Sequence, residues 1–563
     1  MSEQSRPREK SPSVVQERLG WQTAQRDDRR VAQALHEGEE IDAMHELSEA
    51  GLLDEFFHYL EVVGVSALIA QLELRSVQRV FLPVTQLVLL YFLKIIIGIE
   101  SMNALPSLLF SNIGLMRLVG FNARQVANGL TRRGDALRGS KRKQGPLTDQ
   151  CLAQNICKLE PDQLEHFFNA VVRALVAFGV LKGELTVALD GSKLRTTEKY
   201  SGRGCLKVER EVKEKGTKRL VKVVEYVYGW KVLVLIEVQT RLPLAMKVVP
   251  IQAYEGQYLL PLVKQAQANL GTYAHISKVV VDRGYLDGED LWQLDQLGIV
   301  FVIVAKAGMA VVQDAHALAK HAPVSQRERL IRHGRGRTES CETLRTRLVG
   351  IEALTTYDAY GSAEHARQSQ RKSFVGNPLN AVVVQTWDNR TPTGGGTVYL
   401  TNGPVTDPFV VFDDYDWRSV IENGIFKEGK YPWHLGHFPQ KTEAAVIVHS
   451  YFTLAVMGLC TAFRLWKVQG APEPEEASSP QTQGKQVTSS LPLSTALLQG
   501  EGTARWRRRL KEENRDKVIV FIGDAYGVFH LAEFVVLSGL RLAALPPELG
   551  SPHTILARYG LSP

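Results

Sequence analysis

The stretch ELTVALDGSKL, residues 184–194, decides the fold. Before it, from about residue 41, Leu, Ala and Val recur at three-to-four spacing, the period of a helix face. LLDEFFHYLEVVGVSALIAQL, the apolar run at 80–99 and LEHFFNAVVRALVAFGVL all read this way. At 184–194 the texture changes to that of a short apolar strand, which stops at an acid, Asp190. VVEYVYGWKVLVLIEVQTRLPLAMKVVP (223–250) then reads as two strands with a turn near Thr240. GQYLLPLVKQAQANLG (256–271) is a helix, and SKVVVDRGY (277–285) is a strand ending in a second acid, Asp282. DGEDLWQLDQLG (287–298) is a helix and IVFVIVAK (299–306) a strand. The order β-β-β-α-β-α-β is that of an α/β core, with acids closing its first and fourth strands.

The rest of the chain arranges itself around that core. Residues 1–40 are polar and charged and read as a flexible N-terminus, with no secretory signal. Residues 41–180 read as an all-α N-terminal domain, suited to DNA binding, and 181–306 as the first part of the core. Residues 307–410 interrupt it with an Arg-rich stretch and runs such as NAVVVQTW, TVYLTNG and FVVF, a β-rich insertion. Residues 411–467 return to helix, 468–500 form a Pro-, Ser- and Gln-rich linker, and 501–563 a tail whose role the sequence does not reveal.

With 563 residues, 44% hydrophobic and 23% charged, the chain has ample core material for several domains. Its net charge of +7 is modest for this length, but the basic residues are clustered. RQVANGLTRRGDALRGSKRK (124–143), the mixed run 193–222, the arginines of 327–347 and RWRRRLK (505–511) point to a polyanionic partner. Five scattered cysteines without a CxxC pair read as reduced thiols of an intracellular, cytoplasmic protein. The apolar runs 80–99 and 444–463 carry Gln86, Lys94, His449 and Ser450, so they read as core helices of a soluble protein with no membrane partner.

YDWRSVIENGIFKEGK, residues 415–430, looks helical. Offsets of three and seven gather Tyr415, Arg418 and Glu422 on one face, with Lys427 and Lys430 just beyond. One reading is a surface helix on which Arg418 and Glu422 pair at i and i+4. The other joins Glu422 to Asp190 and Asp282 in a carboxylate cluster. Clustered carboxylates repel, and hard divalent cations relieve that repulsion; two Mg²⁺ ions then suit an in-line phosphoryl displacement.

Asp190 at a strand, the VDRGY around Asp282, and the Tyr-x2-Arg-x3-Glu of 415–422 together resemble the DDE transposases of bacterial insertion sequences. More narrowly, they resemble the subgroup with a β-strand insertion between the second Asp and the Glu. The resemblance covers roughly 180–466. It implies a ribonuclease-H-like mixed sheet and an enzyme that cuts transposon ends and joins the freed 3′-hydroxyl to target DNA. It further implies catalysis and metal binding by Asp190, Asp282 and Glu422, with two Mg²⁺ ions that Mn²⁺ can replace. The expected partners are terminal inverted repeats, target DNA and a second copy in a homodimer. Tyr415, Arg418, Arg283 and Tyr285 are the expected DNA contacts beside the acids. The family's signature places a Lys seven residues after the Glu, where this chain has Gly429; Lys427 and Lys430 flank that position, and either reaches a phosphate. Arg132, Arg133, Lys141, Arg142 and Lys143 would suit recognition of the terminal repeats. A DNA-binding protein that keeps the fold without cutting, or a nuclease without strand transfer, are the alternatives; the presence of all three acids argues against the first.

Overall fold

The computed structural model describes residues 25–47, 53–75, 82–122, 125–126, 146–213, 220–333, 340–362, 364, 376–387, 396–469 and 516–562. The chain divides into two compact units, one of residues 1–167, 431–456 and 467–563, the other of 168–430 and 457–466.

The first unit is helical, but not all-α as its periodicity suggests. The helices Leu53–Val62, Val65–Ala70 and Val84–Ile97 pack in succession, Asp149–Ile156 packs on Val84–Ile97, and Val84–Ile97 meets the first half of Glu443–Gln469. Phe452 sits edge-on to Phe92 at 5.3 Å and to Phe167 at 5.9 Å, a geometry aromatic rings favour. The apolar span Glu443–Lys467 is long enough to cross a membrane, yet 89% of its most hydrophobic window is buried in protein. Beside the helices lies a four-stranded sheet in the order β1-β14-β13-β2. Its strands are β1 (Gln25–Arg26), β2 (Ala43–Glu46), β13 (Lys517–Ile522) and β14 (Ala525–His530). The helix Asp28–Glu37 packs Val31 and Leu35 against Val520 and Phe529 of that sheet, with Leu537 and Leu556 closing the cluster. One expectation is thereby corrected: residues 25–40, assigned to a flexible arm, are ordered. The tail, whose role the sequence left open, supplies two of the four strands from 516–562. The reason is burial: neither end can cover its own apolar face, and each covers the other's.

The second unit is built on a ten-stranded mixed sheet. Its first strands are β3 (Gly183–Thr196), β4 (Gly204–Lys213), β5 (Leu220–Glu237), β6 (Pro243–Pro250), β7 (Ala274–Val281) and β8 (Val300–Val304). β5 lies antiparallel between β3 on one edge and, end to end on the other, β4 and β6. The two partners change over at Gly229, whose φ of +137° and whose missing Cβ, which would lie 2.0 Å from the Leu194 carbonyl oxygen, let the strands close up. β3, β7 and β8 run parallel, joined by the helices Leu259–Leu270 and Gly288–Gln296. β4 is one strand more than the sequence order anticipates.

The β-rich segment does not stand apart. β9 (Ser325–His333), β10 (Ser340–Leu354), β11 (Leu379–Trp387) and β12 (Thr397–Thr401) extend the same sheet, in the order β8-β12-β11-β10-β9. The helix Pro408–Asp416 lies across the join. Phe409 and Val411 bury against Val280, Val302, Leu348 and Val382, so one core runs under old and new strands alike.

Candidate active site

The site begins with a register. β3 and β7 pair in parallel from Gly183↔Ala274 to Leu189↔Val281, and there the ladder stops. The next residue on each strand is an acid, Asp190 and Asp282. β7 ends and Asp282 opens a 3₁₀ turn, Arg283–Tyr285. β3 does not end. The expectation that its strand stops at Asp190 is corrected, because β5 continues to pair with it from Asp190↔Val234 to Thr196↔Tyr228. Asp190 therefore sits inside a strand that has just lost one neighbour, at the crevice where parallel strands part and ligands gather.

Asp190 Oδ1 accepts from the Gly191 N–H at 2.7 Å, and its Oδ2 lies 3.6 Å from Arg418 Nη1. Burial pushes the Asp190 carboxyl up to about 6; the Gly191 N–H and the Arg418 guanidinium oppose this, while the charges of Asp282 and Glu255 add to it. Arg418 comes from the helical segment following Pro408–Asp416, with its guanidinium 5.9 Å from the ring centre of Tyr415. Tyr415 leans on Tyr399 at 4.6 Å, and burial raises its phenol to about 12. Tyr415 and Arg418 thus stand beside both aspartates.

Glu422 lies in a π-helical turn, Ile421–Lys427, packed against β3 and held by buried Ile421, Ile425 and Phe426. Its side chain is exposed, as is that of Lys427, whereas Lys430 is half-buried. The π turn bears on the lysine spacing. Such a turn takes in one residue more than an α turn, so the eighth position after Glu422 comes to the face that the seventh would otherwise occupy. That position is Lys430. Burial, and after it the charge of Arg195 on β3, lowers the Lys430 ammonium.

Among the described residues no three His, Cys, Asp or Glu side chains stand close enough to hold a metal ion. The donors nevertheless suit a divalent cation: hard carboxylate oxygens, with one buried acid raised by burial and by like charges, the imbalance a cation removes. Asp190, Asp282 and Glu422 are the acids expected to hold it, and Glu422 faces solvent in this structure.

Other expected residues fall elsewhere. Arg283 is exposed beside Asp282. Tyr285, expected to touch DNA, is fully buried, which leaves its ring in the core. Arg132, Arg133, Lys141, Arg142 and Lys143 lie outside the described residues. In the Arg-rich strands, Arg327 pairs with Asp413 at 2.8 Å and stacks over Phe409, and Arg345 pairs with Glu328 at 2.9 Å. One acid near Asp190 went unremarked in the sequence: Glu255, in the AYEG turn before Leu259–Leu270, at no strand end and in no familiar spacing.

Residues 181–459 match the family described as Transposase DDE domain. No curated protein matches the chain in sequence. Among solved structures, the piggyBac transposase synaptic complex with hairpin DNA is similar at 9% identity and a TM-score of 0.34, over 87% of this chain and 80% of that one. A likeness that shallow carries no argument. The sequence match is of another kind, and it spans every residue of the crevice: residues 181–459 are similar to the transposase DDE domain.

Proposed function

We propose that this chain is a DNA transposase that cuts at the ends of its insertion sequence and joins the freed 3′-hydroxyl to target DNA. The observation that carries the reading is the break in the β3–β7 ladder, which leaves Asp190 and Asp282 side by side within the stretch similar to the transposase DDE domain. The strand order β6-β5-β3-β7-β8, with only β3, β7 and β8 parallel, supports a ribonuclease-H-like core.

Asp190, Asp282 and Glu422 would hold two Mg²⁺ ions, which supply activation of the attacking oxygen and neutralisation of the leaving one. Arg418, 3.6 Å from Asp190, is placed to bind the phosphate next to the bond that breaks, because its planar fork matches a pair of phosphate oxygens. Tyr415 keeps that guanidinium in place. Lys430 adds a second positive charge from just beyond the π turn, and the exposed Arg283 and Lys427 serve the flanking backbone. Work as a homodimer on paired DNA ends, within the cytoplasm, belongs to the same reading.

The test is strand scission in vitro by the purified chain, on DNA carrying the sequence that flanks its gene, with Mg²⁺ or Mn²⁺. Asp190→Asn and Asp282→Asn should each lower the rate by at least about 1000-fold while DNA binding persists. Scission at the native rate by either variant refutes the reading.

A further inference from the structure

Glu255 is placed more deliberately than a turn residue needs to be. Lys231 lies in the middle of β5, and its side chain is only 10% exposed. Its ammonium donates to the Ala253 carbonyl at 2.9 Å and pairs with Glu255 Oε1 at 2.7 Å. One carboxylate oxygen is thus fixed from below. The other, Oε2, lies against the glycines that follow the two acids. It lies 3.2 Å from where a Cβ on Gly191 would stand and 3.8 Å from the same point on Gly284. Those glycines follow Asp190 by one residue and Asp282 by two, so Oε2 sits between the two backbones that carry the aspartates. Both close approaches depend on the absence of a side chain.

A second feature points to a ligand in the same space. The Tyr285 hydroxyl is fully buried and has no hydrogen-bond partner among the described residues. Tyr285 lies in the turn that Asp282 opens, its N–H donating to the Asp282 carbonyl at 3.0 Å, and that turn packs against Gly256–Tyr258, the turn that follows Glu255. A buried hydroxyl without a partner carries a cost of about 1–3 kcal/mol unless a bound species completes it. The three carboxylates stand too far apart here to hold an ion as they are, and a cation that drew them together would bring a water for the unpaired Tyr285 hydroxyl.

We propose that Glu255 is a fourth acid of the catalytic centre, held by Lys231 so that its Oε2 joins Asp190 and Asp282 in binding a divalent cation. This rests on the reading of Asp190 and Asp282 as metal-binding residues and adds to it. The pair Lys231–Glu255 is built into β5 and the turn before Leu259–Leu270, with Lys231 bonded to the Ala253 carbonyl as well. Glu422, in contrast, is exposed on a π turn. Glu255 is therefore the acid whose carboxylate is already held in place.

The test is Mn²⁺ binding to the full chain by calorimetry without DNA, together with the Mn²⁺ dependence of DNA scission. Glu255→Gln should weaken Mn²⁺ binding and raise the Mn²⁺ concentration for half-maximal scission by about 10- to 100-fold. Because Glu255→Gln leaves Lys231 without its ion pair, the double variant Lys231→Met/Glu255→Gln is measured beside it and should show the same loss. Native Mn²⁺ affinity in the double variant makes Glu255 a mere counter-ion to Lys231 and overturns the proposal. Asp190→Asn separates the two levels. If it retains native affinity, or if the native chain binds no Mn²⁺, the metal-binding reading of the crevice falls and Glu255 falls with it. If Asp190→Asn loses binding while Glu255→Gln keeps it, only the Glu255 proposal fails.

Discussion

At Gly191 there is room for a hydrogen and little else. A Cβ there would stand 2.8 Å from Leu233 Cδ2 and 3.2 Å from Glu255 Oε2, and the Gly191 N–H already serves Asp190. Gly191→Ala should cost about 1–3 kcal/mol in urea denaturation, as overpacking of a filled site does. It should slow scission more than that loss explains, because Glu255 and Asp190 must both shift. His449 makes a separable prediction. Its Nε2 lies 2.8 Å from the His434 carbonyl, which can only accept, so Nε2 carries the proton and Nδ1 accepts from the Tyr91 hydroxyl at 2.9 Å. Burial first, and then the charge of Lys94, lowers this imidazole from 6.5 to about 3. The folded value lies below the unfolded one, so the unfolded chain takes up the proton first. Stability is whole above pH 6.5 and declines as pH falls towards 3, by on the order of 2 kcal/mol at pH 5. In thermal unfolding, His449→Phe should be less stable at pH 7 but lose the part of the acid slope that the native chain shows between pH 6.5 and 4. An unchanged slope would mean another group sets it.

Single elements explain what the sequence made legible and what it hid. β7 was plain, since KVVV ends in an acid and a turn, and it does end there. β3 was misread at its far end because DG after an apolar run reads as a turn. Only the eighteen-residue β5, a long-range partner, shows that the strand continues. The face of 415–422 was legible at helical period, but not the π turn that follows, because no local signal distinguishes it from α-helix. That turn decides between the lysines. Lys430→Ala should reduce binding of DNA ends and scission by about tenfold or more, and Lys427→Ala by much less, as read by gel shift at fixed salt. Equal effects would mean that the extra residue of the π turn does not set which lysine reaches the phosphate. Glu255 was invisible for a different reason: its importance lies in what Lys231 and two glycines do around it, and none of these is near it in a pattern.

Across the whole molecule, the least legible feature is the sheet made from both chain ends. Val518 pairs with Glu46 and Gln25 with Ala525, residues nearly the length of the chain apart, and no periodicity reports such a pairing. Removing residues 516–563 should strip β13 and β14 from β1 and β2 and expose Val31 and Leu35. The truncated chain should aggregate, or show rapid proteolysis between residues 25 and 47, where the full chain resists. The sheet of the other unit was legible in part: its α/β order was read correctly but for β4, whereas the fusion of β9–β12 with it was not, since strands do not announce their neighbours. What the account claims at its centre concerns the crevice of that sheet. The most direct measurement is plasmid excision in cells, on a substrate carrying the DNA that flanks the gene, with the native chain and Glu422→Ala side by side. The account predicts excision by the native chain and none by the variant, with folding and DNA binding intact. Equal excision by both would remove Glu422 from the chemistry and contradict it.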